Sequence, residues 1–501
     1  MKDFKHIISK YAGALVVAVA LLASCDDIGN DTFKEPKYQT GIQYMEEDPD
    51  GSYDRWLEIV KASDYYGLLN ARGDYTFFAC DNESVEAFLA EKGGMGALEK
   101  DYVNRLVRNH VVMSRLTSFG MRQGPMPDTT MNGDYLTVNF REGGLNNMLI
   151  NHQAKITERD VECSNGMFHT VDKVLEPLKE GLSSVISKDA RFGIFAGAVE
   201  KTGLAEELDK LTAENGDLLR YTVLIETDDI YKKEGINNLD ALVEKLGAGS
   251  DFTSPTNALN RFVRYHVLGV KLYSTRFRDY VFPTLGKEMV RMMVRDGSYL
   301  INPVFDDFGG LLTEKSNKVD LFNMDFQGSN GVFHILDKVM YEESPEPSAF
   351  IYDPCDVPEL DYLRHKRRDF VHVDQIKSWR GQGHVSFEYR YMTSSALYER
   401  DNIVSYVENG WFEFDTPAII KGKYRLNCSF WQEWNGGPGA KSTVRVYVDG
   451  KLSDRIVKQG EDNVDIGVFE FTENKTHVIR FESLVGGGQF AFDRISFTPV
   501  K

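Results

Sequence analysis

Four histidines stand where a metal ligand or a general base could be built. His110 and His266 close apolar stretches, and His169 and His334 each lie in an Asn-Gly-x-Phe-His segment. Imidazole titrates nearest neutral pH and is a frequent metal donor. Yet all four sit among apolar neighbours, as in Leu106-Val-Arg-Asn-His110-Val-Val and Phe262-Val-Arg-Tyr-His266-Val-Leu. There a histidine that satisfies a backbone carbonyl is the commoner arrangement, so structural roles are expected and no metal or cofactor is assigned to them. Asp172 and Asp337 belong to different repeats and form no carboxylate dyad. With no Gly-x-Ser-x-Gly, His-Glu-x-x-His or phosphate loop in the chain, the expectation is a protein that binds rather than catalyses.

A binding chemistry is offered by Trp431-Gln-Glu433-Trp434-Asn435-Gly-Gly-Pro-Gly, two indoles and three polar side chains beside a glycine-rich turn. A sugar ring stacks its C–H face on an aromatic plane while amides and carboxylates take its hydroxyls. Trp434, next to the turn, is the expected exposed platform, with Glu433 and Asn435 as polar partners. Trp431 continues the strand alternation from Gly422 and is expected closer to the core. The alternative is that both indoles fill that core.

The elements that would position the histidines occur twice. Asn165-Gly-Met-Phe-His-Thr-Val-Asp-Lys-Val-Leu returns as Asn330-Gly-Val-Phe-His-Ile-Leu-Asp-Lys-Val-Met. Ahead of each copy come, in the same order, a helix-patterned stretch (Trp56 to Leu69; Phe192 to Leu208), a β-rich strand (Tyr75-Thr-Phe-Phe-Ala-Cys80; Tyr221-Thr-Val-Leu-Ile) and a helix ending at His110 or His266. Tyr75 to Tyr221, His110 to His266 and His169 to His334 are separated by 146, 156 and 165 residues, so the second copy carries insertions. Three ordered landmarks present twice resemble the fasciclin (FAS1) domain family over roughly residues 39 to 342. That resemblance implies two α+β modules, each a β-wedge covered by helices, used for adhesion and ligand binding. In the second copy Glu226-Thr-Asp-Asp replaces the usual small-residue turn, so a rebuilt strand exit is expected.

At the amino terminus, Lys2, Lys5 and Lys10 precede an apolar run from Ala12 to Ala23, too short to span a hydrocarbon core of roughly 30 Å. Leu22-Ala-Ser-Cys25 resembles a bacterial lipobox, which implies a signal peptide over 1–24, acylation of Cys25 and a membrane anchor. Asp26 and Asp27 resemble a surface-export signal of some Gram-negative lipoproteins, implying the outer membrane and its exterior face. Residues 25–38 are polar and read as a tether. The whole chain carries 58 basic and 76 acidic residues, net -18. Loss of residues 1–24 removes three Lys and one Asp, leaving 55 against 75. Nucleic acid is thereby excluded as a partner, and the single basic run, Arg364-His-Lys-Arg-Arg368, has no wider basic field around it. The expected partners are the membrane, through the anchor, and a glycan or surface protein.

Beyond the linker Glu342-Glu-Ser-Pro-Glu-Pro-Ser348 the composition changes, and four of the five tryptophans (379, 411, 431 and 434) fall here. Runs with two-residue alternation at 410–415, 422–431, 442–450, 476–483 and 489–497 predict an all-β antiparallel sandwich. Their order resembles galactose-binding-like jelly rolls, the architecture of many carbohydrate-binding modules. Asp493 matches a final-strand aspartate that holds a structural calcium in some of those modules, although their acidic pair near the first strand is not evident; a turn-bonding aspartate is the alternative. The expected organisation is therefore 39–180 and 181–342 as fasciclin-like domains and 343–501 as the sandwich. Of the five cysteines, Cys25 is spoken for; Cys80 with Cys163 and Cys355 with Cys428 are candidate disulfides, with four buried thiols as the alternative.

Overall fold

The computed structural model describes residues 39–140, 144–306, 310–363, 368–391, 401–431, 443–458, 460–484 and 488–500. Cys25, with the signal and tether segments, and Glu433, Trp434 and Asn435 lie outside the described residues, as does most of the basic run. The chain divides into two compact units, residues 1–177 and 178–501.

In the first unit, β1 (Tyr75–Cys80) is buried from Thr76 to Cys80, as a strand covered on both faces must be. Strand β2 (Ala154–Cys163) runs antiparallel to β3 (Gly166–Val171). Strand β3 lies parallel to β1, from Tyr75 opposite Gly166 to Cys80 opposite Val171. These belong to a seven-stranded sheet whose core includes Trp56, Ile59, Val85, Leu106 and Val107 from the helices Asp54–Ala62, Asn82–Lys92 and Lys100–Asn109. Asp81 ends the strand and starts the next helix: its side chain accepts the N–H of Ser84 at 2.8 Å, as an N-cap should. The helix expected over Trp56 to Leu69 breaks in two, because Ser63 turns extended after Ala62 and a second short helix begins at Tyr66.

The repeated Asn-Gly pair has a mechanical explanation. Asn165 donates from Nδ2 to the carbonyls of Leu69 and Ala71 at 2.8 and 2.9 Å and accepts the N–H of Gly41 at 3.0 Å. Asn330 repeats this on Leu208, Lys210 and Leu182. A Cβ on the following glycine would lie 2.1 Å from the Tyr75 carbonyl oxygen at position 166 and 2.2 Å from that of Tyr221 at position 331. The asparagine thus ties a loop and a helix start to the strand, and the glycine lets two backbones touch.

The second unit repeats the parallel pair, β4 (Tyr221–Ile225) against β5 (Gly331–Ile335). Its first half carries two four-stranded sheets where the first unit has one of seven strands. The remainder is antiparallel: β6 (Phe350–Tyr352), β7 (Trp379–Tyr391), β8 (Asp401–Asp415), β9 (Gly422–Trp431), β10 (Thr443–Val448), β11 (Val464–Phe471), β12 (Val478–Ser483) and β13 (Gly488–Pro499). Strand β8 pairs with β13 through Ile403–Val407 and with β12 through Trp411–Asp415, so it passes from one layer into the other. The inner rings of the two layers meet, Phe414 with Phe492 at 5.4 Å and Phe481 with Phe492 at 5.0 Å. Trp379 is part of this core. Val281 and Met289 of the second repeat pack on Ala418 and Ile420 of the β-region, and Arg278 pairs with Asp356 at 2.6 Å.

The four described cysteines are free and buried. Cys163 faces Gly166, which faces Tyr75, whereas Cys80 is at the other end of β1. Five residues at about 3.3 Å each place the two roughly 16 Å apart along the strands, far beyond a disulfide's reach. Cys428 and Tyr352 flank Ile495 from opposite sides, so β13 separates β9 from the strand that leads to Cys355. Neither pairing forms, because parallel register and an intervening strand hold the thiols apart.

Candidate functional site

The histidines turn out to be held by the backbone. His169 donates from Nε2 to the Leu116 carbonyl at 3.0 Å and accepts the Asp160 N–H at Nδ1. His334 does the same with Leu272 at 2.9 Å and the Asp325 N–H. Beside His334, Ser274 gives both its N–H and its hydroxyl to the Asp325 carboxylate. Serine, histidine and aspartate are together, but the connectivity is wrong for nucleophile activation: both imidazole nitrogens are committed to the main chain and neither is left to serve Ser274. His110 donates from Nδ1 to the Phe78 carbonyl at 2.6 Å and accepts the Leu175 N–H at Nε2, at 2.9 Å. Burial pushes its pKa down to about 4.

At the fourth histidine the rebuilt exit appears. Glu226, fully buried, occupies the position that Cys80 holds in the first repeat. Its carboxylate accepts the Met340 N–H at 2.7 Å, accepts the Tyr231 hydroxyl at 2.7 Å, and faces His266 Nε2 at 3.2 Å. Met340 corresponds to Leu175, so Glu226 takes over the N–H that His110 accepts in the first copy. A buried carboxylate with three partners is an internal tie, since none of its oxygens is open to a ligand.

The arrangement best suited to binding is the outer face of the β-region. In β8, Phe412 and Phe414 point into the core, so alternation turns Trp411, Glu413 and Asp415 outward. Register then lines up two rows: Gln382, Trp411, Glu482 and Arg445; and Arg380, Glu413, Arg480 and Tyr447. Trp411 donates its Nε1–H to Gln382 at 3.0 Å, and the Arg480 guanidinium lies 4.0 Å from the indole centroid. Arg480 and Arg380 both bind Glu413, at 2.8 and 2.9 Å, and Arg380 reaches Asp415 at 2.6 Å. Burial works against ionising Glu413, but the two arginines prevail and hold its carboxyl below the usual range. Tyr447 donates to Glu482 at 2.8 Å. Among the described residues of this face three arginines thus meet three carboxylates, a balance of charge around an indole on a chain of net -18.

Trp411 was not singled out from the sequence, although the run Gly410-Trp-Phe-Glu-Phe-Asp already carries the alternation that exposes it. Of the residues that were, Trp431 closes β9 with its side chain beyond the described part, and its neighbour Phe430 is buried. Trp434 falls in the sequence between β9 and β10; β10 begins at Thr443, two residues before Arg445, which pairs with the Glu482 opposite Trp411.

A second cluster lies inside the same region. Asp353, Cys355 and Asp401 are buried, and a ligand atom from each lies within 4.8 Å of the others. Asp353 caps the turn Pro354–Asp356 by accepting the Cys355 N–H at Oδ1, at 2.7 Å, and among the described residues the only side-chain donor to its carboxylate is the Cys355 thiol. Burial, then Asp401 and Asp356, push its pKa well up. Tyr389 donates to Asp401 at 3.0 Å. Asp493, also buried, pairs with Arg494. The three donors that converge here are thus two carboxylates and a thiol. Calcium takes six to eight oxygens, and a soft sulfur among three donors does not fit it.

The family profile described as a fasciclin domain matches residues 51–177 and 190–342. Protein sll1483 of Synechocystis sp. is 30% identical over 125 residues, covering 24% of this chain and 65% of that protein. The chain spans less than two thirds of the length of the curated relatives it matches, 32% and 29% for two others. Among solved structures, the FAS1 domain pair of the insect cell adhesion molecule Fasciclin I is similar over 59% of this chain and 99% of that one, at 17% identity and a TM-score of 0.29. A family 35 carbohydrate-binding module from Clostridium thermocellum is similar over 26% of this chain and 98% of its own, at 13% identity and a TM-score of 0.18.

Proposed function

The chain belongs to the fasciclin domain family, with two fasciclin domains in tandem, and from that premise we propose a non-enzymatic surface lipoprotein that captures glycan with its terminal β-region. In this reading Cys25 anchors the chain at the outer membrane and the fasciclin domains serve as a docking or adhesion platform. The observation that carries the glycan reading is the charge-balanced face around Trp411. A charged partner would be served by a field of one sign. A neutral polyol needs an aromatic plane with fixed donors and acceptors around it, and here every polar group is already oriented by a neighbour. In this proposal Trp431, Glu433, Trp434 and Asn435, which in the sequence precede the strand that carries Arg445, supply further aromatic and polar groups.

The test is binding of the whole chain to a broad glycan array, repeated with Trp411→Ala and with Trp434→Ala. Trp411→Ala should abolish or weaken binding at least ten-fold while the melting temperature stays within a few degrees, since an outer-face residue contributes little to the core. Loss only with Trp434→Ala would move the site to the loop. A folded wild-type chain that binds no glycan would leave protein-mediated adhesion through the fasciclin domains as the function, a reading the family itself favours.

A further inference from the structure

We propose that Asp353, Cys355 and Asp401 form a site for one divalent transition metal of the zinc class. This goes beyond glycan capture and does not depend on it. The three side chains come from two places brought together by the fold: Asp353 and Cys355 follow β6, and Asp401 opens β8. All three are buried, and one ligand atom from each lies within 4.8 Å of the others, close enough to converge on one ion with small side-chain adjustments. The Oδ2 of Asp353 is an independent sign. It belongs to a carboxylate 1% exposed that has no side-chain donor other than the thiol of Cys355, itself one of the three ligands, and no ion pair to Asp353 occurs among the described residues. Leaving a carboxylate buried in that state is costly unless a cation or a proton occupies it. The donor set chooses the cation. Thiolate with two carboxylates suits a borderline-soft ion that accepts four ligands, leaving a fourth position for solvent, whereas calcium and magnesium favour oxygen alone. Binding would release to solvent the thiol proton of Cys355 and the proton that the buried Asp353 carboxyl holds in the metal-free chain as the bonds to the metal form, and two carboxylates, a thiolate and a divalent ion would together carry a single negative charge. The ion would staple the turn after the first strand of the β-region to the start of its long central strand.

The experiment uses the whole chain with Cys25→Ser, so that only the four buried cysteines remain. After removal of metal with a chelator, cobalt(II) is the spectroscopic probe. The expected result is a thiolate-to-cobalt charge-transfer band that saturates at one ion per chain, is displaced by zinc, and is accompanied by a zinc-dependent rise in melting temperature. Cys355→Ser should remove the band and the zinc-dependent rise. Asp353→Asn, which leaves every thiol in place, should weaken cobalt binding at least ten-fold. The proposal is overturned if calcium raises the melting temperature equally in the parent and in Cys355→Ser with no cobalt band, which would mean an oxygen-only site. It is equally overturned if the parent chain shows no band and no metal response, which would mean that Asp353 is buried as the neutral acid. Should Cys355→Ser fail to fold, the band and stoichiometry of the parent chain still decide.

Discussion

His110 is kept neutral by its surroundings, and that makes the first fasciclin domain sensitive to acid. The imidazole is 1% exposed, gives its one proton to the Phe78 carbonyl and accepts at the other nitrogen. Its folded pKa of about 4 lies below the ordinary value near 6.5, so the unfolded chain takes up the proton first. The stabilisation is complete above about pH 6.5 and is lost as pH falls towards 4, about 3 kcal/mol in all. Urea denaturation of the first unit at pH 7 and pH 4.5 reads this directly. A His110→Asn variant should be less stable at pH 7 yet lose less on acidification. Equal losses in both proteins would show that other groups carry the acid response. At this scale the histidines were legible in the sequence: apolar neighbours implied structural roles, and the hydrogen bonds of His169 and His334 to backbone carbonyls bear that out. Glu226 was only half legible, since its place in the strand exit announced a change but not that the carboxylate would turn inward to meet His266.

Between elements, the parallel pairs β1–β3 and β4–β5 are the joints on which both fasciclin domains are built. Each depends on a glycine whose missing side chain is the space the partner carbonyl uses. Gly166→Ala should therefore destabilise the first unit by about 3 kcal/mol, through overpacking against backbone that cannot rotate away, and Gly331→Ala should do the same in the second. Melting curves of the two variants check this, and a loss below about 0.5 kcal/mol would mean the strands separate freely. The repeated Asn-Gly spelling in the sequence marks this joint. What it did not reveal is direction. Parallel register puts Cys80 and Cys163 at opposite ends of the paired strands, so two cysteines in neighbouring motifs remain separate thiols.

For the whole molecule, the anchor is proposed at Cys25, ahead of the described residues. No helix among the described residues is long and apolar enough to cross a membrane, and the attachment proposed is through acyl chains on Cys25. Cys25→Ala should shift the protein from the membrane fraction to the soluble one, while changing Asp26 and Asp27 to alanine should keep it membrane-bound but reduce its exposure to protease on intact cells. A Cys25→Ala chain that still sediments with membranes would sink the anchor. Within residues 178–501 the second fasciclin domain and the β-region share a small apolar contact and the Arg278–Asp356 pair.

By itself the sequence determined the duplication, the family and the strand alternation of the terminal region, because each is written in local spacing: a motif repeated in order, or a two-residue period that a strand turns into two faces. Alternation even assigns Trp411 to the outside once Phe412 and Phe414 are recognised as core. Only the tertiary structure decided which residues meet. The row from Gln382 to Arg445 draws on four strands, and the trio of Asp353, Cys355 and Asp401 spans nearly fifty positions of sequence that include a whole strand, β7. Such neighbours are set by strand register and by the passage of β8 from one layer into the other, which depend on long-range pairing and leave no mark in the spacing of the residues themselves.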